Sequence, residues 1–298
     1  MRATIQLCTY NRARLLERVL DACFEQTACG AYEVVLVNDG STDDTARVIE
    51  RAKMRATCPF AVIDQVNSGL AAGRNAGIAR ASGERIIFID DDVLPIPTFV
   101  AEHLRSHERF ALRVVRGGAI NVETFDDLPP PVWSLKHYSG NFFWTTNVSV
   151  PLAAIRAIGG FNTTFAEYGW EDIDVGLRLR FAGVKAAFNK RALVYHYKPR
   201  PKRADVPGMI RQAQAQARTA VQLGQMHPHW RTALATGDFP ANELLHRWAN
   251  ARKPPPALEA FLNGPQDLSG RELRTARALA SRAYYEELHR AHSARANG

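Results

Sequence analysis

Short runs of apolar residues alternate with amphipathic segments over the first two thirds of the chain. Strand-like runs cover residues 3–8, 32–37, 60–66, 86–89 and 113–122, and the segment after the first run repeats apolar residues at helical spacing. Unbroken apolar runs are typical of strands that are covered on both faces. The pattern predicts an α/β fold with a mostly parallel central sheet, right-handed crossovers and flanking helices.

The pattern changes towards the C-terminus. Residues 141–150 are predicted to form a strand that turns at Pro151 into a helix over 152–158, and residues 192–196 form a strand-like run. From about residue 205 the periodicity is helical only, with breaks near Pro228, Pro240, Pro254 to Pro256 and Gly270. We therefore expect an α/β domain over residues 1–204 and a helical C-terminal extension over residues 205–298.

Composition excludes several classes of protein. The 298 residues are 46% hydrophobic, enough for a large core, but no window holds the roughly 18 consecutive apolar residues of a membrane span. The first residues enter a strand-like run and show no signal-peptide pattern, so we expect a cytoplasmic protein with at most peripheral contact at the inner face of a membrane. The four cysteines have no metal-ligand spacing and are interpreted as reduced thiols, mostly buried.

The net charge of +8 indicates an anionic partner. Lys and Arg are spread along the chain, and no zinc-finger spacing, RNP-like strand or basic zipper is present. We therefore expect no nucleic-acid partner, and an anionic nucleotide or a lipid headgroup explains the excess charge equally well.

Three consecutive acids, Asp90, Asp91 and Asp92, follow the apolar run at residues 86–89. In open α/β sheets, ligands bind at the carboxyl ends of the strands. Three adjacent carboxylates would repel one another there unless they share a cation, so the motif predicts a divalent metal that holds a diphosphate. The alternative is an acidic turn whose carboxylates only cap the next helix.

Other polar residues are predicted at the same edge of the sheet. Asp39 ends the second strand, and His196 ends the last strand-like run. Arg74 lies in the second turn of a glycine-containing helix aimed at that edge, and its alternative interpretation is a solvated surface arginine.

A second acidic cluster opens a later helix. Glu171, Asp172 and Asp174 fall in its first turn, where carboxylates complement the helix dipole. That explanation suffices for Asp174. Tyr168 and Trp170, beside the other two acids, instead suggest a pocket that stacks on a ring and offers a carboxylate as a base.

The order of these motifs resembles the inverting family 2 glycosyltransferases of the GT-A fold. The resemblance covers about residues 1–200 and leaves the last hundred or so outside it. No QxxRW-like motif follows, so the processive membrane-embedded synthases of the family are a poor comparison. The segments that carry the resemblance are Cys8 to Arg12, Asn38 to Asp43, Asn67 to Arg80, Asp90 to Asp92, Gly159 to Phe161, Trp170 to Asp172, and His196.

The resemblance implies a nucleoside-diphosphate sugar donor. Its nucleotide would bind near Asp39, Arg74 and the acidic motif, with Asp90 nearer the ribose. Asp92 would bind Mn²⁺ or Mg²⁺ directly, and His196 matches the histidine that completes the metal site in some members, consistent with mixed oxygen and imidazole ligands. The residues expected to bind the nucleotide are Thr9, Tyr10, Asn11, Arg12, Asp39, Arg74, Asp90 and Asp91.

The resemblance also implies the roles in transfer. Asp172 matches the presumed general base, with Glu171 as its neighbour and rival, and Trp170 and Tyr168 would line the acceptor and sugar pocket. Lys198 and Arg200, in the basic segment 198–203, would act as a lid on the diphosphate. The acceptor is a saccharide, a lipid-linked molecule or a small molecule, and the C-terminal helices would shape the acceptor side or mediate assembly, which includes a homo-oligomer.

Two other functions remain open at this point. A sugar-nucleotide pyrophosphorylase would share the nucleotide-binding sheet and the metal acids, but its first turn should be rich in glycine, whereas residues 9–14 contain none. A non-catalytic nucleotide- or anion-binding protein would use the C-terminal helices. The sequence does not distinguish UDP, GDP and dTDP donors, because Asp39 could accept a hydrogen bond from more than one base.

Overall fold

The computed structural model describes residues 1–165, 167–239, 241–242 and 256–296. The chain divides into two compact units. Unit 1 is Met1–Thr164 with Glu171–Pro199, and unit 2 is Phe165–Trp170 with Arg200–Gly298. Unit 2 thus begins a few residues before the expected position and also takes a short segment from within the α/β region.

Unit 1 contains one eight-stranded sheet with the strand order β3-β2-β1-β4-β7-β6-β8-β5. β7 runs antiparallel to β4 and β6, and β5 runs antiparallel to β8, while the remaining pairs are parallel. The expected mostly parallel sheet is therefore confirmed. The strands are β1 Ala3–Thr9, β2 Tyr32–Asn38, β3 Phe60–Asp64, β4 Arg85–Phe88, β5 Val93–Pro95, β6 Arg113–Val122, β7 Val148–Pro151 and β8 Lys185–Tyr197.

Helices pack on both sides of this sheet through their apolar residues. One core cluster contains Leu16 and Leu20 of the first helix with the buried residues of β1 and β2, and the other contains Ile86 and Phe88 of β4 with Phe143. Burial on both sides explains why the strand sequences are continuously apolar. The helices of unit 1 are α1 Ala13–Phe24, α2 Thr45–Arg55, α3 Leu70–Arg80, α4 Phe99–Arg109, α5 Leu152–Ala157 and α6 Glu171–Phe181.

Two local predictions were wrong. The predicted strand over residues 141–150 is a strand only from Val148, because the preceding residues form a loop whose polar side chains bond to the rest of unit 1. The last strand begins at Lys185, well before the apolar run at 192–196, because its first half pairs with β6 although its side chains are partly exposed.

Unit 2 is helical over its described residues apart from short connections and one isolated bridge. Ala217, Ala220 and Val221 pack against Leu288, and the buried side chain of Arg203 bonds to the carbonyl of Pro265. Parts of the predicted extension, including Pro240 and Pro254, lie outside the described residues. The helices are α7 Val206–Met226, α8 Trp230–Thr236, α9 Leu258–Leu262 and α10 Gly270–Ala296.

Among the described residues, we find no helix that combines the length and the apolar character needed to span a bilayer.

Candidate functional site

A cavity of ≈ 300 Å³ opens at the carboxyl ends of β1 and β2. Tyr10 is 48% exposed at this cavity, whereas Thr9 and Asp39 are buried in its wall. Of the eight residues expected to bind the nucleotide, the structure brings five together here, and Asn11, Arg74 and Asp90 lie elsewhere. The cavity is lined by Cys8, Thr9, Tyr10, Arg12, Asp39, Asn67, Gly69, Leu70 and Asp91.

Asp39 uses its carboxylate to shape the cavity wall. Its Oδ1 accepts from Gln65 Nε2 at 2.7 Å and from the Ser68 N–H at 2.9 Å, and its Oδ2 accepts from the Gly69 N–H at 2.9 Å. Gly69 has φ +86°, a conformation that favours glycine, and it directly precedes α3. A nucleotide base would therefore meet an Asp39 carboxylate that already holds the start of α3 in place.

Asn11 stabilises the loop after β1. Its side-chain Oδ1 accepts from the Thr42 N–H at 2.7 Å, and its own N–H donates to Ser41 Oγ at 3.0 Å. These bonds join the loops that follow β1 and β2, so the contribution of Asn11 in this structure is to the loops that border the cavity.

The three consecutive acids separate into different environments. Asp91 Oδ2 accepts from the Thr9 hydroxyl at 2.8 Å, and burial raises the pKa of Asp91 to about 7, although Arg12 and Thr9 oppose this rise. The next element is the strand β5, and α4 begins only at Phe99. The acids therefore do not cap a helix, which removes the alternative interpretation of this motif.

Asp92 and His196 lie close together, and a carboxylate oxygen of Asp92 faces the imidazole. Within the described part of the chain, Asp92 Oδ1 is buried and has no hydrogen-bond partner, and it lies 3.7 Å from His196 Nε2. The other oxygen, Oδ2, lies 3.5 Å from Arg12 Nη1. Burial, followed by the charge of Asp90, raises the pKa of Asp92. An unpartnered carboxylate oxygen beside an imidazole nitrogen is a donor set that fits a divalent cation.

That donor set supplies two protein ligands. No group of three or more His, Cys, Asp or Glu side chains is arranged to hold a metal in the described part of the chain. Two protein ligands suffice for Mg²⁺-type sites in which substrate phosphates and water complete the coordination.

Arg74 is the centre of an ion-pair network. The residue is 4% exposed, so the surface interpretation of this arginine is excluded. Nη1 lies 3.2 Å from Glu171 Oε1 and 3.1 Å from Asp172 Oδ1, and Nη2 lies 3.4 Å from Asp90 Oδ1. One buried guanidinium therefore joins the acid motif after β4 to the first turn of α6.

Asp172 has a raised pKa that suits a general base. Burial raises its pKa to about 6; Glu171 and Asp90 act in the same direction, and Arg74 opposes them. A carboxyl group whose pKa lies near neutrality can accept a proton efficiently at physiological pH. Asp174, in contrast, is fully buried and pairs with Arg178, which supports a structural role for it.

Residues 145–147 are functional candidates that the sequence analysis missed. Thr145 Oγ1 lies 3.0 Å from Asp172 Oδ2, and Thr146 Oγ1 donates to Asp90 Oδ2 at 2.7 Å. Asn147 Nδ2 donates to two backbone carbonyls, those of Gly118 and Ala192. Three consecutive polar residues directly before a buried strand were the available signal.

The two aromatic residues that precede α6 belong to unit 2. Trp170 has φ +62° and its Nε1 donates to the carbonyl of Gln216 at 2.7 Å, so its ring contributes to the packing of α7. Tyr168 is 55% exposed. Their predicted role at an acceptor pocket stays a prediction.

The basic segment that was expected to act as a lid divides between the units. Lys198, in unit 1, is exposed, its N–H donates to the carbonyl of Val122, and its charge acts on His196. Arg200, in unit 2, donates to the carbonyl of Leu268 at 2.5 Å. This bond uses one of the N–H groups of Arg200, and the predicted lid stays a prediction.

Comparison with solved structures identifies the fold. The mannosyltransferase PcManGT from Pyrobaculum calidifontis, in complex with GDP-Man and Mn²⁺, aligns with a TM-score of 0.60 and 19% identity over 96% of this chain and 87% of that one. S. aureus TarS in complex with UDP aligns with a TM-score of 0.55 and 18% identity over 100% of this chain and 92% of that one. The fold is therefore the GT-A fold, as expected.

Sequence comparison finds glycosyltransferases among the relatives of this chain. The validoxylamine A glucosyltransferase of Streptomyces hygroscopicus subsp. jinggangensis is 29% identical over an alignment of 226 positions that covers 63% of this chain and 54% of the relative. This chain therefore spans about half the length of such relatives.

Two family models match the sequence. The model for the N-terminal domain of galactosyltransferase matches residues 134–200. The model for glycosyl transferase family 2 matches residues 4–158, just over half of the chain, and includes the cavity, the acid motif, Arg74 and residues 145–147. The chain belongs to glycosyl transferase family 2.

Proposed function

We propose that this protein transfers a sugar from a nucleoside-diphosphate sugar, of the UDP or GDP type, to an acceptor hydroxyl, with inversion at the anomeric carbon and with a divalent cation. The family match favours this function over nucleotidyl transfer and over a non-catalytic binding protein. The donor classes agree with solved structures of the same fold, which contain GDP-Man or UDP. The acceptor is a saccharide, a lipid-linked molecule or a small molecule.

The observation that carries the proposal is a continuous path of contacts within unit 1. Asp91 lines the cavity, its neighbour Asp90 pairs with Arg74, and Arg74 pairs with Asp172. A carboxylate with a raised pKa is thereby connected to the cavity in which the nucleotide would bind. Sugar transfer by direct attack needs these two parts, a donor site and a base for the acceptor hydroxyl.

In the proposed reaction, Asp172 takes the proton of the acceptor hydroxyl as the hydroxyl oxygen attacks the anomeric carbon. Bond formation and departure of the diphosphate on opposite faces invert that carbon. Arg12 and Lys198 are cations near Asp92 and His196, and they would balance the charge of the diphosphate. Asp92 and His196 would hold Mn²⁺ or Mg²⁺, which supplies charge neutralisation for the leaving diphosphate.

A thermal-shift screen with UDP, GDP and dTDP, each with and without Mn²⁺, tests this proposal. One nucleotide at 100 times its dissociation constant should stabilise the protein by about 2.7 kcal/mol, and Mn²⁺ should increase the effect. Asp92→Asn should remove the Mn²⁺-dependent part because it replaces an unpartnered carboxylate oxygen, while melting of the free protein stays near that of the parent.

Asp126→Asn is the matched control, since Asp126 is exposed and its carboxylate contacts Arg18 and Thr124, away from the acid motif. It should keep the parent's Mn²⁺ dependence. A parent protein that none of the nucleotides stabilises would contradict the donor site. An Asp92→Asn variant with unchanged Mn²⁺ dependence would contradict the metal ligand alone.

A further inference from the structure

Three donors converge on the carboxylate of Asp172. The Thr145 N–H donates to Oδ2 at 3.1 Å, the Thr145 hydroxyl lies 3.0 Å from the same oxygen, and Arg74 Nη1 donates to Oδ1 at 3.1 Å. Thr145 is 2% exposed, so water does not compete for its hydroxyl. Two of the three donors come from one residue that has no charge.

The direction of the Thr145 hydroxyl follows from its neighbours. Arg74 Nη2 lies 2.5 Å from Thr145 Oγ1, and a guanidinium can only donate. The hydroxyl oxygen is therefore an acceptor on that side, and its single proton remains for an oxygen of Asp172. A donor that is itself polarised by a cation makes a stronger hydrogen bond, because neighbouring bonds reinforce one another.

We propose that Thr145 is a positioning residue for Asp172. Thr145 holds the Asp172 carboxylate ionised and in one orientation through its N–H and through its hydroxyl, whose direction Arg74 sets. This inference rests on the proposed function, in which Asp172 is the base. A base that is protonated before the acceptor binds cannot take the acceptor's proton, so donors that stabilise the carboxylate keep it competent.

The charges around Asp172 explain why an additional neutral donor matters. Arg74 faces it from α3, Glu171 precedes it in α6, and Asp90 faces the same guanidinium from the end of β4. One cation is thus shared among three acids. Burial and the two other acids favour the protonated form of Asp172, and the Thr145 N–H opposes them without adding charge. The Thr145 hydroxyl, 3.0 Å from Oδ2, is a second neutral donor to the same carboxylate.

The backbone of Thr145 is held by the residues that follow it. The Thr146 hydroxyl bonds to Asp90, and the Asn147 side chain bonds to the carbonyls of Gly118 and Ala192 in β6 and β8. The position of the Thr145 donors is therefore set by the sheet. This arrangement allows the hydroxyl to be removed without loss of the backbone donor.

The test measures the pKa of Asp172 directly, without substrate, by carboxyl ¹³C NMR titration of protein labelled at aspartate. The Asp172 signal is assigned by its loss in Asp172→Asn. Thr145→Val, which keeps the shape and removes the hydroxyl, should raise this pKa by about one unit or more, as expected for loss of a hydrogen bond to a charged group. Thr145→Ser should restore the parent value.

Thr4→Val is the matched control. The Thr4 hydroxyl is also buried, donates to the carboxylate of Glu33 at 2.7 Å and accepts from the Gly83 N–H. Its loss should lower stability and leave the pKa of Asp172 unchanged. If Thr145→Val does not fold, Thr145→Ala is compared with Thr145→Ser in the same titration, because alanine places no methyl group against Arg74.

The same variants separate this inference from the proposed function. The acid limb of the pH–kcat profile should move upward in Thr145→Val and return in Thr145→Ser, with the KM for the donor changed less than twofold. An unchanged Asp172 pKa in both Thr145→Val and Thr145→Ala would overturn the positioning role. Near-parent turnover in Asp172→Asn would instead show that the base assignment, and not the contact, is wrong.

Discussion

Unit 1 contains two buried polar networks, one charged and one neutral, that satisfy buried polar side chains in different ways. The acid network consists of Arg74, Asp90, Thr145, Glu171 and Asp172 and carries charge. The histidine network consists of His103, His107, Asn147 and Ser149 and is neutral. The chain passes from one to the other within residues 145–147, so the difference comes from the side chains that each network gathers.

The histidine network is a series of hydrogen bonds whose directions can be assigned. Asn147 Nδ2 donates to two carbonyls, which leaves its Oδ1 to accept from His103 Nε2 at 3.0 Å. His103 Nδ1 then accepts from the Ser149 hydroxyl, and Ser149 Oγ accepts from His107 Nε2, each at 2.8 Å. A proton added to His103 Nδ1 would oppose the Ser149 hydroxyl, whereas His107 Nδ1 is buried and has no hydrogen-bond partner among the described residues, so burial itself opposes its protonation. Burial lowers the pKa of His103 to about 4 and that of His107 to about 3.

The acid network shares one cation among three carboxylates. Burial raises the pKa of Asp172, Glu171 and Asp90 act in the same direction, and Arg74 opposes them only in part. The comparison shows how a fold separates two uses of buried polar groups. A neutral, fully directed network specifies how the sheet packs, whereas an unbalanced charged network leaves a group ready to exchange a proton.

The largest expected effect is on the rate of sugar transfer, which should depend on the acid network. Asp172→Asn should transfer sugar about 10² to 10⁴ times more slowly, because it removes the general base. Its melting temperature should stay within a few degrees of the parent's. Single-turnover kinetics with saturating donor, together with a thermal melt, measure both quantities.

Glu171→Gln is the internal comparison, since Glu171 contacts the same guanidinium through one oxygen. Adjacent positions in a helix point about 100° apart, so both acids should not face one acceptor hydroxyl. Glu171→Gln should therefore lose less activity than Asp172→Asn. The reverse order would transfer the role of base to Glu171.

A smaller effect should appear in the dependence of stability on pH. The folded-state pKa of His107 is lowered, so this residue contributes stability that is present above the unfolded value of 6.5 and is lost as the pH falls towards about 3. Between pH 7 and pH 5 the loss is about 2 kcal/mol per histidine. His107→Gln should reduce the pH-dependent loss by that amount in urea unfolding at the two pH values.

Asp172 should change the pH dependence of stability in the direction opposite to His107, so it serves as the control. Its folded-state pKa of about 6 lies above its unfolded value of 3.8, so its contribution is present at low pH and is lost as the pH rises through about 6. Asp172→Asn should therefore make stability fall more steeply on acidification. A parent-like pH dependence in His107→Gln would show that this histidine is not held neutral.

The smallest expected effect is the coupling between the networks. Among the described residues, the Thr145 hydroxyl contacts Arg74 and Asp172, whereas the Ser149 hydroxyl contacts His103 and His107, so the two share no partner. In a double-mutant cycle of Thr145→Val and Ser149→Ala, urea unfolding should give a coupling free energy within about 0.5 kcal/mol of zero. A coupling above about 1 kcal/mol would show that the two networks act as one unit.

The order of elements in unit 1 could be predicted from the sequence alone. Strands such as Tyr32–Asn38 and helices such as Ala13–Phe24 have periodicities that burial requires, and the acids fall at strand ends because a parallel sheet exposes those ends. These features are local, so a pattern of a few residues determines them. The motif order identified the family for the same reason.

Only the tertiary structure decided which polar groups meet. Arg74, whose predicted contact with a nucleotide stays a prediction, lies among acids that are separated from it by up to 98 positions, and Thr145 was placed in a strand with no role at all. The histidine network likewise joins residues of α4 to the segment that leads into β7. Burial turns such contacts into pKa shifts by removing water, and burial depends on how the whole sheet and its helices pack.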